Sequence, residues 1–374
     1  MEWKKYKLGE IAEICNGSTP STSDKSNYDG DIVWATPKDL SDQQTKYFLK
    51  GARNITKKGF ESCSTQIIPA NNILMSSRAP IGLFAINKVD CCTNQGFKSI
   101  VLDKTRVDVD YMYYYLKYHV KEIEALGTGP TFKEVSKASF ENYEISIPEI
   151  GVQRSIASVL SILDDKILLN RAINQNLEAL ITDITDYMFL SKKDELSKCS
   201  IGEIASIKAG GDCPKDFSVF PDNTHSIPIY SNGTDKEGLY GYTSQSSVEG
   251  RSVTVAARGT IGYCVRRYGE YVPIIRLLAV CPYNRGADTY LHQIISRMTF
   301  KKNGSVQQQL TVPELSVIQI PYPSKEELIE YDKRTFPLIL QINQNKTETL
   351  QLIKQRDELL PLLMNGQVSL LNGD

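Results

Sequence analysis

The sequence predicts an α+β chain built twice over. Two globular domains of mixed helix and strand are separated by two long helices that pair as an antiparallel coiled coil, with a pseudo-two-fold internal repeat. Three observations predict this. Short motifs recur in the same order about 180 positions apart. Each copy then runs into a long segment with helical spacing. The stretch before each long segment mixes strand-like and helix-like patterns.

The repeat comes first because the rest follows from it. KLGEIAEICNG (7–17) matches SIGEIASIKAG (200–210), and SSRAPIG (76–82) is echoed by AARGTIG (256–262). FENYEISIP (140–148) resembles ELSVIQIP (314–321). One heptapeptide match is weak, but matches kept in order indicate a duplication with the period of a domain. The segments are then 1–150, a central helix at 151–190, 191–323, a distal helix at 324–366 and a tail at 367–374.

In the first globule DIVWAT (31–36), QIIPANNILMSS (66–77), GLFAI (82–86) and FKSIVL (97–102) read as strands. VDYMYYYLKYHVKEIEAL (109–126) reads as a helix whose tyrosines pack in the core rather than stack on bases. LGEIAEI (8–14) and its counterpart read as short helices. In the second globule SVTVAA (252–257), GYCVRR (262–267) and IIRLLAV (274–280) read as strands and DTYLHQIISRM (288–298) as a helix.

Residues 152–188 contain no glycine or proline. Ile156, Leu160, Leu163, Ile167, Asn170, Ile173, Leu177, Leu180 and Ile184 recur at steps of three and four, the seam of an amphipathic helix. The distal segment repeats the pattern with Leu338, Ile342, Asn345, Thr349, Leu352, Leu359 and Leu363. Leu163, Ile167, Asn170 and Leu177 are expected to face Leu338, Ile342, Asn345 and Leu352. Asn170 and Asn345 end the same spacing, which favours mutual pairing and a fixed register. Pro337 reads as the first turn of the distal helix, and Pro361 as its kink or end before Asn365 and Gly366.

Composition excludes several function classes. With 41% hydrophobic and 23% charged residues the chain is an ordinary globular sequence. No apolar stretch approaches the roughly 20 residues of a membrane span; the best, YVPIIRLLAV (271–280), carries Arg276. Eight cysteines without a CxxC pair and three scattered histidines indicate neither zinc nor a disulfide framework, so a cytoplasmic setting is expected. Basic and acidic residues number 19 and 19 in 1–150, 3 and 5 in 151–190, 15 and 12 in 191–323, and 6 and 8 in 324–374. That balance rules out a basic tail and assigns any phosphate contact to the two globules.

Taken together, several stretches resemble the specificity (S) subunits of type I restriction-modification systems. They are LGEIAEI (8–14) with NGSTP (16–20), IVWATPKDL (32–40), SRAPIG (77–82), TNQGF (93–97), ISIP (145–148) leading into VQRSIASVLSILDDKI (152–167), and LLPLLMNG (359–366). The resemblance covers essentially the whole chain. The second half departs from it at IPIYSNG (227–233), and TNQGF has no obvious counterpart near VPIIR (272–276). The resemblance implies that each globule is a target recognition domain reading half of a split double-stranded DNA site. It implies that the paired helices carry two methyltransferase (M) subunits, with restriction/translocase (R) subunits as further partners. It also implies that the chain is non-catalytic and binds no cofactor, with S-adenosylmethionine and ATP/Mg used by the partners. About 35 helical residues rise roughly 50 Å, enough to hold two readers at successive major grooves, which repeat every 34–36 Å or so.

The candidate DNA contacts fall in three groups. Arg78 and Arg258 head the paired turns and suit phosphate anchoring. GTGPTFKE (127–134) and KKNGSVQQQ (301–309) occupy equivalent places and are rich in glycine and hydrogen-bonding groups. They nominate Thr128, Thr131, Lys133, Lys301, Lys302, Ser305, Gln307 and Gln308. NGSTP (16–20) and KAGGD (208–212) add Asn16, Ser18 and Lys208. Shared residues do shared work, so specificity is expected where the halves differ. No glycine-rich cofactor loop, Asn-Pro-Pro-Tyr-like tetrapeptide or ATPase phosphate loop occurs. Asp164 and Asp165, adjacent on a helix, point about 100° apart and make a poor metal pair. A non-catalytic two-armed scaffold that binds only proteins remains the alternative reading.

Overall fold

A computed structural model of the chain describes residues 3–43, 45–129, 133–300 and 309–367. The strands are β1 (Lys4–Lys7), β2 (Ala12–Asn16), β3 (Tyr28–Ile32), β4 (Trp34–Ala35), β5 (Tyr47–Phe48), β6 (Ile73–Ser77), β7 (Ile81–Asn87), β8 (Cys92–Thr93), β9 (Lys98–Leu102) and β10 (Glu144–Ile147). The second copy supplies β11 (Ser197–Ser200), β12 (Ala205–Ala209), β13 (Ile227–Tyr230), β14 (Leu239–Thr243), β15 (Ser252–Val255), β16 (Cys264–Arg267), β17 (Val272–Pro273), β18 (Leu278–Pro282) and β19 (Gln319–Tyr322). The helices are α1 (Pro37–Ser41), α2 (Lys57–Glu61), α3 (Val109–Tyr118), α4 (Val120–Ala125), α5 (Lys137–Glu141), α6 (Ile150–Met188), α7 (Ile201–Ile204), α8 (Ala287–Ile295), α9 (Val312–Ser316) and α10 (Lys325–Met364). Contacts divide the chain into two units, Met1–Arg171 with Lys346–Asp374, and Ala172–Asn345, so each unit holds part of both long helices. Among the described residues no helix is long and apolar enough to cross a membrane.

The duplication is visible in strand order and register. The first unit orders β2-β9-β6-β7-β5, and the second orders β12-β18-β15-β16. Ile14 lies opposite Ile100 and Ile73 opposite Ile100; Ile207 lies opposite Val280 and Val253 opposite Val280. The parallel pair Trp34–Cys92 and Ala35–Thr93 has its counterpart in Ile229–Val272 and Tyr230–Pro273. The ends close alike, β1 on β10 and β11 on β19. Ser136 caps α5 and Thr311 caps α9 at the same place.

LGEIAEI departs from expectation. It forms a short 3-10 turn at Leu8–Glu10 and then strand β2, and the second copy forms α7 and then β12. Ile11 and Ile14, three apart, suggest a helix face, but both are buried in the first core with Ile14 on strand β2. The loops at 16–20 and 208–212 therefore follow strands. The helix expected over 109–126 is interrupted at His119, where α3 gives way to α4. Tyr111, Tyr113, Tyr114 and Tyr115 are buried in the first core as expected. Of IIRLLAV only the end is strand; Ile275 and Arg276 have positive φ.

Within each unit the long helices run antiparallel. In the first, Asp164 accepts from Arg356 Nη1 at 2.8 Å and Asn170 donates to Glu348 at 2.8 Å. In the second, Asn345 donates to Asn174 at 2.8 Å, and Ile181 packs with Ile339 and Ile342, flanked by Leu177 and Leu338. Ile167 and Leu352 are buried and Leu163 is half-buried. Asn170 and Asn345 are both buried on the seam, and each is satisfied inside its own unit. Ile173 and Leu180 are 37% and 45% exposed and leave the seam, which passes instead through Asn174, Leu177, Ile181 and Thr185. The buried face keeps steps of seven through Leu160, Ile167, Asn174 and Ile181; following apolar residues alone replaces Asn174 by Ile173 and so slips by one position to Leu180.

The distal helix starts well before Pro337. Ser324 and Glu327 form reciprocal caps, Ser324 N to Glu327 Oε2 at 3.0 Å and Glu327 N to Ser324 Oγ at 3.2 Å. Pro337 lies in the helix interior, and α10 continues past Pro361 to Met364 before Gly366 turns with φ 70°. In the first unit a buried polar cluster ties the globule to the helices. Lys46 Nζ donates to Asp110 at 2.7 Å and to Ser161 at 2.8 Å, and the Tyr114 hydroxyl donates to Asp164 at 2.6 Å.

Candidate nucleic-acid interface

Three backbone segments meet in each unit, and register makes them equivalent. The first follows β2 or β12. Gly17 and Gly210 occupy the same position, and each lies hard against the strand lead-in before β9 or β18. A Cβ on Gly17 would sit 1.9 Å from the Asn94 carbonyl oxygen, and one on Gly210 would sit 2.6 Å from the Pro273 carbonyl carbon. No side chain fits either gap. Gly17→Ala is expected to push these segments apart and destabilise the first unit by about 1–3 kcal/mol, read as a lower urea midpoint.

The second segment is the tip itself. Asn94 N donates to Ala35 O at 3.0 Å and Ile274 N donates to Tyr230 O at 2.9 Å. Phe97 N reaches back to Asn94 O, and Leu277 N to Ile274 O, at 3.3 and 3.0 Å. TNQGF (93–97) therefore has a structural counterpart after all in PIIRL (273–277), which residue identity concealed.

The third segment is the arginine turn. Ser77 and Ala257 are equivalent: Ser77 O accepts from Val135 N at 3.1 Å, and Ala257 O accepts from Leu310 N at 2.9 Å. The residue before each of those donors meets the arginine. Arg78 lies 3.5 Å from Glu134, and Arg258 donates to Gln309 at 2.8 Å. Glu134 also takes Lys98 Nζ at 3.0 Å, and the second copy has Leu278 at the position of Lys98. Lysine and glutamate thus change together to leucine and glutamine. Each turn keeps one net positive charge at a partly exposed arginine, as an anion contact requires.

The remaining sequence candidates are placed as follows. Asn16 is exposed at the end of β2, and Ser18 is half-buried with its N–H on Thr93 O at 2.9 Å. Lys208 is exposed, but the residue equivalent to Asn16 is Ala209, so these two do not correspond. Thr128 and Lys133 are exposed, and Thr128 exchanges backbone hydrogen bonds with Glu134 beside Arg78. Thr131, Lys301, Lys302, Ser305, Gln307 and Gln308 lie outside the described residues. Sequence reasoning missed Gln95, Glu134, Asn232, Ile275, Arg276 and Gln309. The one available signal was adjacency: Glu134 and Gln309 each immediately precede an apolar residue and an N-cap, Val135-Ser136 and Leu310-Thr311.

Two features distinguish the second unit. Ile275 and Arg276 have φ of 52° and 64°, a region costing on the order of 1–3 kcal/mol per residue outside glycine. The strain is held by Ile275 N on Gly211 O at 2.8 Å and Arg276 N on Gly210 O at 3.0 Å. Asn232 completes the clamp, accepting from Ala257 N at 2.7 Å and donating to Ile275 O at 2.5 Å. The following loop is latched by His225, whose Nδ1 lies 2.9 Å from Asp222 and whose Nε2 lies 2.7 Å from Asp216.

With a carboxylate on each ring nitrogen, Asp222 first and then Asp216, the imidazolium is favoured and its pKa is raised from 6.5. The backbone N–H of His225, followed by its side chain, lowers Asp222 from 3.8 to about 2. The raised group stabilises fully below 6.5 and loses its contribution as pH climbs through its folded value. The lowered group stabilises above 3.8 and loses its contribution as pH falls toward about 2. Amide exchange of residues 216–225, corrected for intrinsic rate, is therefore expected to be slower near about pH 6 than near about pH 8.5.

Comparisons with known proteins agree with the internal repeat. A subunit of the type I restriction enzyme MjaIX from Methanocaldococcus jannaschii, its specificity subunit, is 28% identical over 98% of this chain and 94% of its own. The EcoprrI specificity subunit of Escherichia coli is 22% identical over 88% of this chain and 85% of its own. The crystal structure of a type I restriction-modification S subunit from M. genitalium has the same fold, with a TM-score of 0.64 and 20% identity over 97% of this chain and 96% of that one. The family model described as the type I restriction modification DNA specificity domain matches twice, at residues 1–179 and 193–357, and the chain therefore belongs to the family of type I restriction-modification specificity subunits.

Proposed function

We propose that each unit reads one half of a split duplex sequence and that the chain brings two methyltransferase subunits to that site on its long helices. The observation that carries this is the convergence of three segments around one net-positive arginine in both units, with different residues at the tip. Arg78 and Arg258 grip phosphates and set position, while the unlike tips supply sequence discrimination. The chemistry belongs to the partners: S-adenosylmethionine on the methyltransferase subunits, ATP with magnesium on restriction subunits where the system cleaves. The chain's own part is to bind, align and space.

A filter-binding titration of the chain assembled with its methyltransferase tests the reading. Affinity is expected to fall steeply with salt and to favour one split sequence over scrambled duplex by about a thousandfold or more. Equal affinity for scrambled duplex would leave a scaffold that binds proteins alone.

A further inference from the structure

The two tips share a backbone frame and differ in what they present. In the first unit the exposed residue is Gln95, whose side-chain carbonyl accepts from the Thr19 hydroxyl, so that the amide is oriented. In the second unit the equivalent position is Ile275, followed by Arg276 where the first has Gly96. Both are exposed. The left-handed backbone at 275 and 276 is clamped by Gly210, Gly211 and Asn232, so the arginine stem starts from a fixed point. Arg276 differs from the other arginines of the site. Arg78 has Glu134 and Arg258 has Gln309, whereas the Arg276 guanidinium has no partner among the described residues.

Resting on the reading above, we propose that these tip residues are the specificity determinants: Arg276 reads a guanine in the half-site of the second unit, and Gln95 reads an adenine in that of the first. A guanidinium presents a planar fork that matches O6 and N7 of guanine, and a carboxamide presents the donor and acceptor that match N7 and N6 of adenine. An unpaired fork whose stem starts from a strained but over-determined turn fits base reading better than phosphate gripping. Phosphate gripping needs no such fixed geometry, and the paired arginine turns already perform it. Asn232 acts as a positioning residue, because it holds the tip to the arginine turn through Ala257.

The test uses the chain assembled with its methyltransferase, with the methylated motif mapped by sequencing and competition binding run on duplexes varied one base pair at a time. Arg276→Ala is expected to relax one guanine position in one half-site, cutting discrimination there about ten- to a hundredfold, and to leave the other half unchanged. Arg276→Lys keeps the charge without the fork; it should hold overall affinity within a few fold and still lose the discrimination. Gln95→Ala should relax an adenine in the opposite half. A uniform loss of affinity with the motif intact would make Arg276 a phosphate contact and overturn the proposal, as would an unchanged motif in both alanine variants. A wild-type complex that prefers no split sequence would instead remove the reading on which the proposal rests.

Discussion

Glutamate at both Arg78 and Arg258 is expected to weaken duplex binding by the assembled complex on the order of a hundredfold at physiological salt, and to reduce the slope of log affinity against log salt by about two. Each turn carries one net positive charge, since Lys98 and Glu134 offset one another beside Arg78 and Gln309 is neutral beside Arg258. Reversal makes each turn net negative next to a polyanion. The loss should be uniform across sequences, unlike that at the tip. Both arginines are partly exposed, so the fold and methyltransferase association should survive, as checked by co-elution. Failure to co-elute would assign these side chains to the architecture instead.

Ile181→Asp is expected to cost about 4 kcal/mol or more and to lower the thermal midpoint of the chain by about 8–16 °C. Ile181 is fully buried with Ile339 and Ile342, so aspartate removes apolar contact and leaves a carboxylate without a partner. Ile167→Asp acts in the same way on the first unit, where Ile167 is 3% exposed. Substituting exposed Leu180 should leave the midpoint within about 1 °C. A midpoint that moves with Leu180 and not with Ile181 would restore the seam through Ile173 and Leu180 expected from apolar spacing.

The sequence alone determined the duplication, the two long helices and the arginine turns. These rest on local identity and on periodicity, which survive in one dimension. Ser200-Ile-Gly-Glu203 and Thr311-Val-Pro-Glu314 carry their capping boxes in plain view, and the burial of Ile156, Leu160 and Ile167 follows from spacing. Tertiary structure alone decided which residues meet. Glu134 reaches Arg78 across 56 positions, and Gln309 reaches Arg258 across 51. Their equivalence appears only through strand register, because glutamate and glutamine have different chemistry. Pairing of TNQGF with PIIRL stayed hidden for the same reason: a shared backbone path leaves no shared side chains. The strand at LGEIAEI and the departure of Ile173 and Leu180 from the seam share one physical cause. Burial is set by which neighbour a side chain faces, and apolar spacing specifies that face only until a polar residue such as Asn174 takes a seam position or a strand competes for the same apolar pattern.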